Sequence, residues 1–150
     1  MTQLSSDPFD LARFVAAQAS SYEQALAELR ARRKRSHWSW FIIPQIRGLG
    51  ASSMSVRYGI GSLEEAKAYL AHPRLGPRLR ECVAAMNSHA TLSASQLLGA
   101  IDAMKFRSCL TLFAEASDHQ PLFSQALARY FDGTPDEKTL SILAAQRRGD

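Results

Sequence analysis

Apolar residues along the chain recur every three or four positions rather than every second one, the period of a helix with one buried face. Phe9, Leu11, Ala12, Phe14 and Val15 make the first stripe, with Asp7, Pro8 and Asp10 ahead of it as N-cap, first helical residue and first-turn acid. The next helix follows Ser21, turns Tyr22, Ala25, Leu26 and Leu29 inward, and runs into the basic stretch 30–35. Ser36 is positioned to cap a short, very apolar segment, 38–43, which Pro44 stops. Gly48-Leu49-Gly50 reads as a loop, and a short helix is expected over 53–58, closed by Gly59. Ser62-Leu63-Glu64-Glu65 has the form of a capping box, so a helix starts there with Leu63, Ala66, Tyr69 and Leu70 facing inward. His72-Pro73 ends it. Pro73, Gly76 and Pro77 suggest an irregular turn, with His72 an N-cap candidate, before a helix through Leu79, Val83 and Met86.

Residues 93–98 read as one or two turns stopped by Gly99. Asp102 can cap the helix that follows, with Ala103, Phe106, Cys109, Leu110 and Phe113 on its apolar side. Pro121 opens a helix through Leu122, Phe123, Leu127 and Phe131 that Gly133 ends. Thr134-Pro135-Asp136-Glu137 opens the last, burying Leu140 and Leu143, and 147–150 are expected to fray. The pattern predicts about eight short helices, no convincing strand and no fixed-period repeat. It therefore predicts an all-α single domain over residues 1–150, core about 7–143 with flexible ends, packed as a compact bundle or an α–α stack.

A chain of 150 residues with 46% hydrophobic composition can bury a core without disulfide or metal staples. The first residues, Met1-Thr2-Gln3-Leu4-Ser5-Ser6-Asp7, have neither the basic nor the apolar region of a secretory leader. The longest charge-free stretch, 82–101, holds Asn87, Ser88, Thr91, Ser93, Ser95 and Gln96 and is too polar to span a bilayer. The two cysteines, Cys82 and Cys109, fall at apolar-compatible helical positions and read as reduced core thiols of a cytoplasmic protein. No C-x-x-C pair, zinc-ligand spacing or cofactor fingerprint occurs; Tyr58-Gly59-Ile60-Gly61 is a tight turn and not a dinucleotide-binding loop. No metal and no cofactor is therefore expected.

The net charge of +4 conceals a division. Residues 30–80 carry eleven bases against Glu64 and Glu65, a local balance of +9, which leaves −5 for the rest. If the bases converge they form an anion-attracting face. A small anionic or phosphate-bearing ligand suits the arginine forks, and nucleic acid ranks behind it because the aromatics that would stack bases sit in a core-like run. That run, His37-Trp38-Ser39-Trp40-Phe41-Ile42-Ile43-Pro44-Gln45, is the most unusual segment, too apolar for a surface helix and bracketed by two polar residues able to turn toward one cleft. A second unusual segment is Asp102-Ala103-Met104-Lys105-Phe106-Arg107-Ser108-Cys109, where Lys105 lies beside the apolar stripe within helical reach of Asp102 and Ser108.

These residues also carry a resemblance. Lys34-x-x-His37-Trp38-x-Trp40-Phe41-Ile42-x-Pro44-Gln45 resembles the most distinctive motif of the domain-of-unknown-function family 1810. Asp7-Pro8-Phe9-Asp10-Leu11-x-Arg13-Phe14, Tyr58-Gly59-Ile60, Ala68-Tyr69-Leu70-x-His72-Pro73-x-Leu75-Gly76-x-Arg78-Leu79 and Asp102-x-x-Lys105-x-x-Ser108-x-x-Thr111-Leu112-Phe113 support it. Ile43 and Cys109 stand where the family pattern has Phe and Ser. The resemblance implies an all-helical, stand-alone bacterial protein with no established activity. The name calpastatin that some members carry belongs to a long disordered inhibitor, which this compact chain is not. A weaker similarity is to the YbiA-like helical proteins, which act on ADP-ribose or N-glycosidic bonds, but no catalytic carboxylate carries over from them.

The leading expectation is a basic, aromatic-lined cleft for a small anion, built from Lys34, His37, Trp38, Gln45, Tyr58, His72, Lys105 and Ser108. Lys34 and Lys105 would neutralise charge, His37 and Gln45 would give directional hydrogen bonds, and Trp38 or Tyr58 would offer a stacking face. The alternatives are a hydrolase of an ADP-ribose-type or N-glycosidic nucleotide derivative, with Glu64, Glu65, Glu81 or Asp102 as its carboxylate, and a scaffold binding protein or nucleic acid through its basic face. Oligomeric state is left open.

Overall fold

The computed structural model describes residues 7–89 and 91–149; the expectations for Met1–Ser6 and Asp150 lie outside them. Among the described residues there are ten helices rather than about eight, because the shortest apolar segments also close helical turns. In chain order they are α1 (Ala12–Gln18), α2 (Tyr22–Arg30), α3 (Ser39–Ile42), α4 (Ser53–Tyr58), α5 (Leu63–Ala71), α6 (Leu75–Asn87), α7 (Ala94–Leu98), α8 (Ala100–Ala116), α9 (Pro121–Phe131) and α10 (Glu137–Arg147). Among the described residues the one strand-like contact is an isolated parallel bridge, Ile46 to Ile60, that ties the ends of the Gly48–Gly50 loop region together.

Several starts differ from the pattern reading, each for a local reason. Asp10 takes a positive φ of 52°, so the chain turns before it coils and α1 begins at Ala12. Asp7 still caps it: its carboxylate accepts from the amides of Leu11 (2.8 Å) and Ala12 (3.0 Å). Ser36 does not cap α3, because its hydroxyl is taken by Glu28. Gly76 and Pro77 lie inside the first turn of α6, not in a loop before it. Pro is tolerated there because first-turn amides have no intrahelical acceptor. Gly76 is required there because a Cβ would sit 2.1 Å from the Leu70 carbonyl oxygen. In α10 it is Thr139 that is buried, on the Asp136 cap, while Leu140 is half-buried.

The architecture centres on α8. From Ser108 to Ala114 every residue is buried, Ser108 and Thr111 included, so this stretch is enclosed on every side. α5, α7, α9 and α10 pack on it, α6 spans α5 and α9, and α2 covers α6. Phe14, Tyr69, Phe106, Phe113 and Phe123 fill the interior; Phe14 meets Tyr69 edge-on with centroids 5.2 Å apart. α1, α3 and α4 close one end. That end is pinned by Arg13, whose guanidinium bonds the carbonyls of Phe9, Asp10, Arg57 and Gly59 and pairs at 2.7 Å with buried Glu65. Cys82 and Cys109 are both buried and unpaired; burial pushes the Cys82 thiol up to about 12 and raises that of Cys109 well above its usual value.

Candidate functional site

The connection between α2 and α3 brings the basic run against the start of α8, and one carboxylate organises it from each side. On the α2 side that acid is Glu28, which lies beside the Ala25–Leu29 stripe and is buried. Its Oε1 accepts from the amides of Arg35 (2.7 Å) and Ser36 (2.9 Å) and from the Trp38 indole N–H (2.9 Å). Its Oε2 accepts from the Ser36 hydroxyl (2.6 Å) and from Gln24 (2.8 Å). The loop is thereby folded back on α2, and the Trp38 ring is sealed into the core.

On the other side stands Asp102, in the first turn of α8. Its Oδ2 pairs with Lys34 Nζ at 2.8 Å, and its Oδ1 accepts from the Ser39 hydroxyl at 3.0 Å and lies 3.5 Å from Lys105 Nζ. Burial works to raise the Asp102 pKa, but the hydrogen bond and charge of Lys34, with Ser39 and Lys105, outweigh it and hold the carboxyl below its ordinary value. Lys34 also donates to the Ser36 carbonyl, and its own amide bonds the Leu97 carbonyl at 3.0 Å, so the loop is stitched to α7. Each ammonium rests on an indole. Lys34 Nζ is 4.9 Å from the Trp38 ring centroid and Lys105 Nζ is 4.5 Å from that of Trp40.

Around this group opens a cleft of about 440 Å³, lined by His37, Ser39, Trp40, Leu98 to Asp102, and Lys105. Its floor is the α7–α8 corner, where Gly99 at φ 88° leaves no side chain over the start of α8 and no side-chain cap closes that helix. Lys105 Nζ donates no hydrogen bond among the described residues, only the 3.5 Å ion pair.

The structure gathers some of the expected residues and disperses others. His37 and Lys105 line this cleft, and Lys34 lies beneath it, its side chain 6% exposed. Trp38 does not line it, being fully buried with its ring between Lys34 and Glu28. Gln45 and Tyr58 border a separate hollow of about 10 Å³ that shares Trp40 as a wall. The half-buried Tyr58 ring is packed on Phe14 and Phe41 and carries the Arg57 guanidinium, 5.4 Å from its centroid. His72 belongs to a different groove with Phe9, Val15 and Pro73, and its Nδ1 accepts from the amides of Arg74 (3.0 Å) and Leu75 (3.2 Å), capping α6. Ser108 is buried and its hydroxyl returns to the Met104 carbonyl at 3.2 Å, so it forms no nucleophile pair with Lys105. Asp102, read as a helix cap, is the hub instead. Trp40, Ser39 and Gly99 were not singled out, although Trp40 and Ser39 share the His37–Gln45 segment with His37.

Of the other acids proposed for hydrolysis, Glu65 is committed to Arg13 and Glu81 to Tyr22 and Arg30. Several of the eleven bases in 30–80 are spent locally. Arg78 lies over Tyr22, Arg80 donates to the Leu70 carbonyl, and Arg47 to the carbonyls of Val56 and Gly59. Among the described residues no cluster of three or more His, Cys, Asp or Glu side chains could hold a metal ion, and no helix is long and apolar enough to cross a membrane.

Comparison with known proteins adds relationship without chemistry. A family model described as a protein of unknown function (DUF1810) matches residues 8–143. The chain is similar to the crystal structure of the conserved hypothetical protein Rv1873 from Mycobacterium tuberculosis, at 52% identity and a TM-score of 0.90, over 92% of this chain and 99% of that one. No curated protein matches.

Proposed function

The chain belongs to the DUF1810 family, a family defined without an activity, and from the cleft we propose that it is a cytoplasmic protein that binds a small anion between Lys105, His37 and the open start of α8. The observation that carries this is a charge imbalance. Two ammoniums, Lys34 and Lys105, share one carboxylate, Asp102, which leaves one positive charge on a half-buried side chain at the cleft wall. Burying an unmatched charge is costly unless a counter-charge joins it. The start of this 17-residue helix, which no side chain caps, adds the positive end of its dipole to the same recess. The volume of about 440 Å³ falls in the range of small-molecule sites. Lys34 and Ser39 hold Asp102, Asp102 holds Lys105 near Trp40, and Lys105 has donors to spare.

The test is a thermal-shift and titration series with acetate, inorganic phosphate and pyrophosphate, on the native chain and on Lys105→Met. A ligand at a hundred times its Kd stabilises the fold by about 2.7 kcal/mol. At least one anion is expected to raise the midpoint of the native chain and to lose most of that shift in the variant. Equal shifts in both proteins would remove the proposal.

One observation favours a second reading, hydrolysis of an ADP-ribose-type or N-glycosidic bond: Asp102 is a carboxylate on the cleft wall. Held ionised by Lys34, it suits the stabilisation of a developing cation and not proton donation, so His37 would have to serve as the acid. Release of nicotinamide or ribose from the corresponding substrates, abolished in Asp102→Asn, would support this reading over simple binding.

A further inference from the structure

The cleft has an apolar shoulder that an inorganic anion would leave unused. Three large hydrophobic side chains stand exposed among the described residues: Val56, Ile101 and Met104, the last two at 73% and 71%. Ile101 lines the cleft, and Met104 lies three residues on along α8, beside Lys105. With exposed Ala100, Ile101 forms an apolar edge to the cleft that Met104 continues along α8. Scattered exposed apolar residues need no explanation, but a contiguous strip at the mouth of a charged recess marks a contact surface.

The indoles narrow the choice of ligand further. A nucleotide would call for an aromatic face on which to stack its base. Trp38 is buried, Tyr58 is packed against Phe14 and Phe41, and the Trp40 ring carries Lys105 at 4.5 Å. Both tryptophans are seats for ammoniums. The large hydrophobic side chains that stand exposed at the cleft, Ile101 and Met104, are aliphatic and belong to α8.

Resting on the anion-binding reading, we infer that the ligand class is a monocarboxylate with an aliphatic arm, its carboxylate on Lys105 and its hydrocarbon along Ile101. One negative charge matches the one unmatched positive charge among Lys34, Lys105 and Asp102. The other acid that organises the loop, Glu28, is spent on donors of the loop and Trp38 and makes no ion pair with either lysine. A planar carboxylate can take the Lys105 ammonium and a start-of-helix amide together, and leave its chain free to run across Ala100 and Ile101.

The experiment is a titration of straight-chain carboxylates from acetate to hexanoate, followed through the two indole N–H resonances of the chain. Native protein, Ile101→Ser and Lys105→Met are compared, with adenosine monophosphate and inorganic phosphate as further probes. A fully buried methylene is worth about fourfold in affinity, so an increase of roughly two- to fourfold per carbon is expected in the native chain. Ile101→Ser should flatten that series, and Lys105→Met should abolish the whole series. A flat series in the native chain, an unchanged slope in Ile101→Ser, or tighter binding of adenosine monophosphate than of hexanoate would overturn the aliphatic assignment and leave the anion site standing. Absence of any response, from every carboxylate and from phosphate, would overturn both.

Discussion

Replacing Glu28 tests whether the loop that carries Lys34 and His37 is held by a single buried carboxylate. In Glu28→Ala, three N–H donors lose their shared acceptor: the Trp38 indole and the amides of Arg35 and Ser36. The indole is sealed in the core and stays unmatched, at about 1–3 kcal/mol. The two amides are nearer solvent and water can replace part of their bonding, so each costs about 1 kcal/mol. The expected loss is about 4 kcal/mol. Glu28→Gln keeps an acceptor for the same three donors and gives up only charge assistance, so about 1–2 kcal/mol is expected. The pH dependence separates charge from shape. Burial opposes ionisation of Glu28, but the Ser36 hydroxyl, the Arg35 and Ser36 amides and Gln24 outweigh it and hold its carboxyl well below the usual range. A group depressed in this way stabilises fully above its unfolded pKa near 4.3 and loses that contribution as pH falls toward its folded value, by up to about 1.4 kcal/mol per pH unit. Urea unfolding, followed by near-ultraviolet dichroism, should therefore show the gap between native and Gln proteins shrinking from pH 5 to pH 3. An alanine variant within about 1 kcal/mol of native at pH 7, or a gap that ignores pH, would refute the reasoning.

Arg13→Met should cost about 3–5 kcal/mol in the same assay, because it leaves Glu65 buried without its partner and frees four carbonyls; a loss under about 1 kcal/mol would show that the end of the fold holds without it. Cys82 and Cys109, buried and raised in pKa, should resist a thiol-specific disulfide reagent at pH 8 in the native protein and react fully in urea, and rapid labelling before unfolding would contradict their burial.

What the chain discloses in advance follows the range of the interactions involved. The helices were legible because their signals are local. Ser62 caps the helix it precedes, 53–58 is a helix closed by Gly59, the stripe of α2 is buried as its spacing requires, and that of α9 is buried at Phe123 and Leu127 and half-buried at Leu122 and Phe131. Starts were misread where one backbone angle or one close approach decides, as with the left-handed Asp10 and the crowded Gly76, since neither leaves a periodic trace. The bonds that shape the site are of another kind. Lys34 and Asp102 are 68 positions apart, Ser39 and Asp102 63, and Arg13 and Glu65 52. No spacing rule reaches that far, so Asp102 could be placed beside Lys105 by helical reach, while its bonds to Lys34 and Ser39 left no trace in the sequence.

The tryptophans show why composition alone pointed to a different kind of pocket. Aromatic rings among basic residues suggest a platform for a stacked base, and the same pairing describes a ring that holds a cation. Which of the two applies depends on where the ammonium rests. With Asp102 drawing both lysines toward the α3–α8 junction, each settles over the nearest indole, Lys34 on Trp38 and Lys105 on Trp40. A lysine seated on a ring loses some freedom before any ligand arrives, so less entropy remains to be lost when an anion binds. The indoles then act on affinity through the lysines they fix, and Trp40→Leu should weaken anion binding by loosening Lys105.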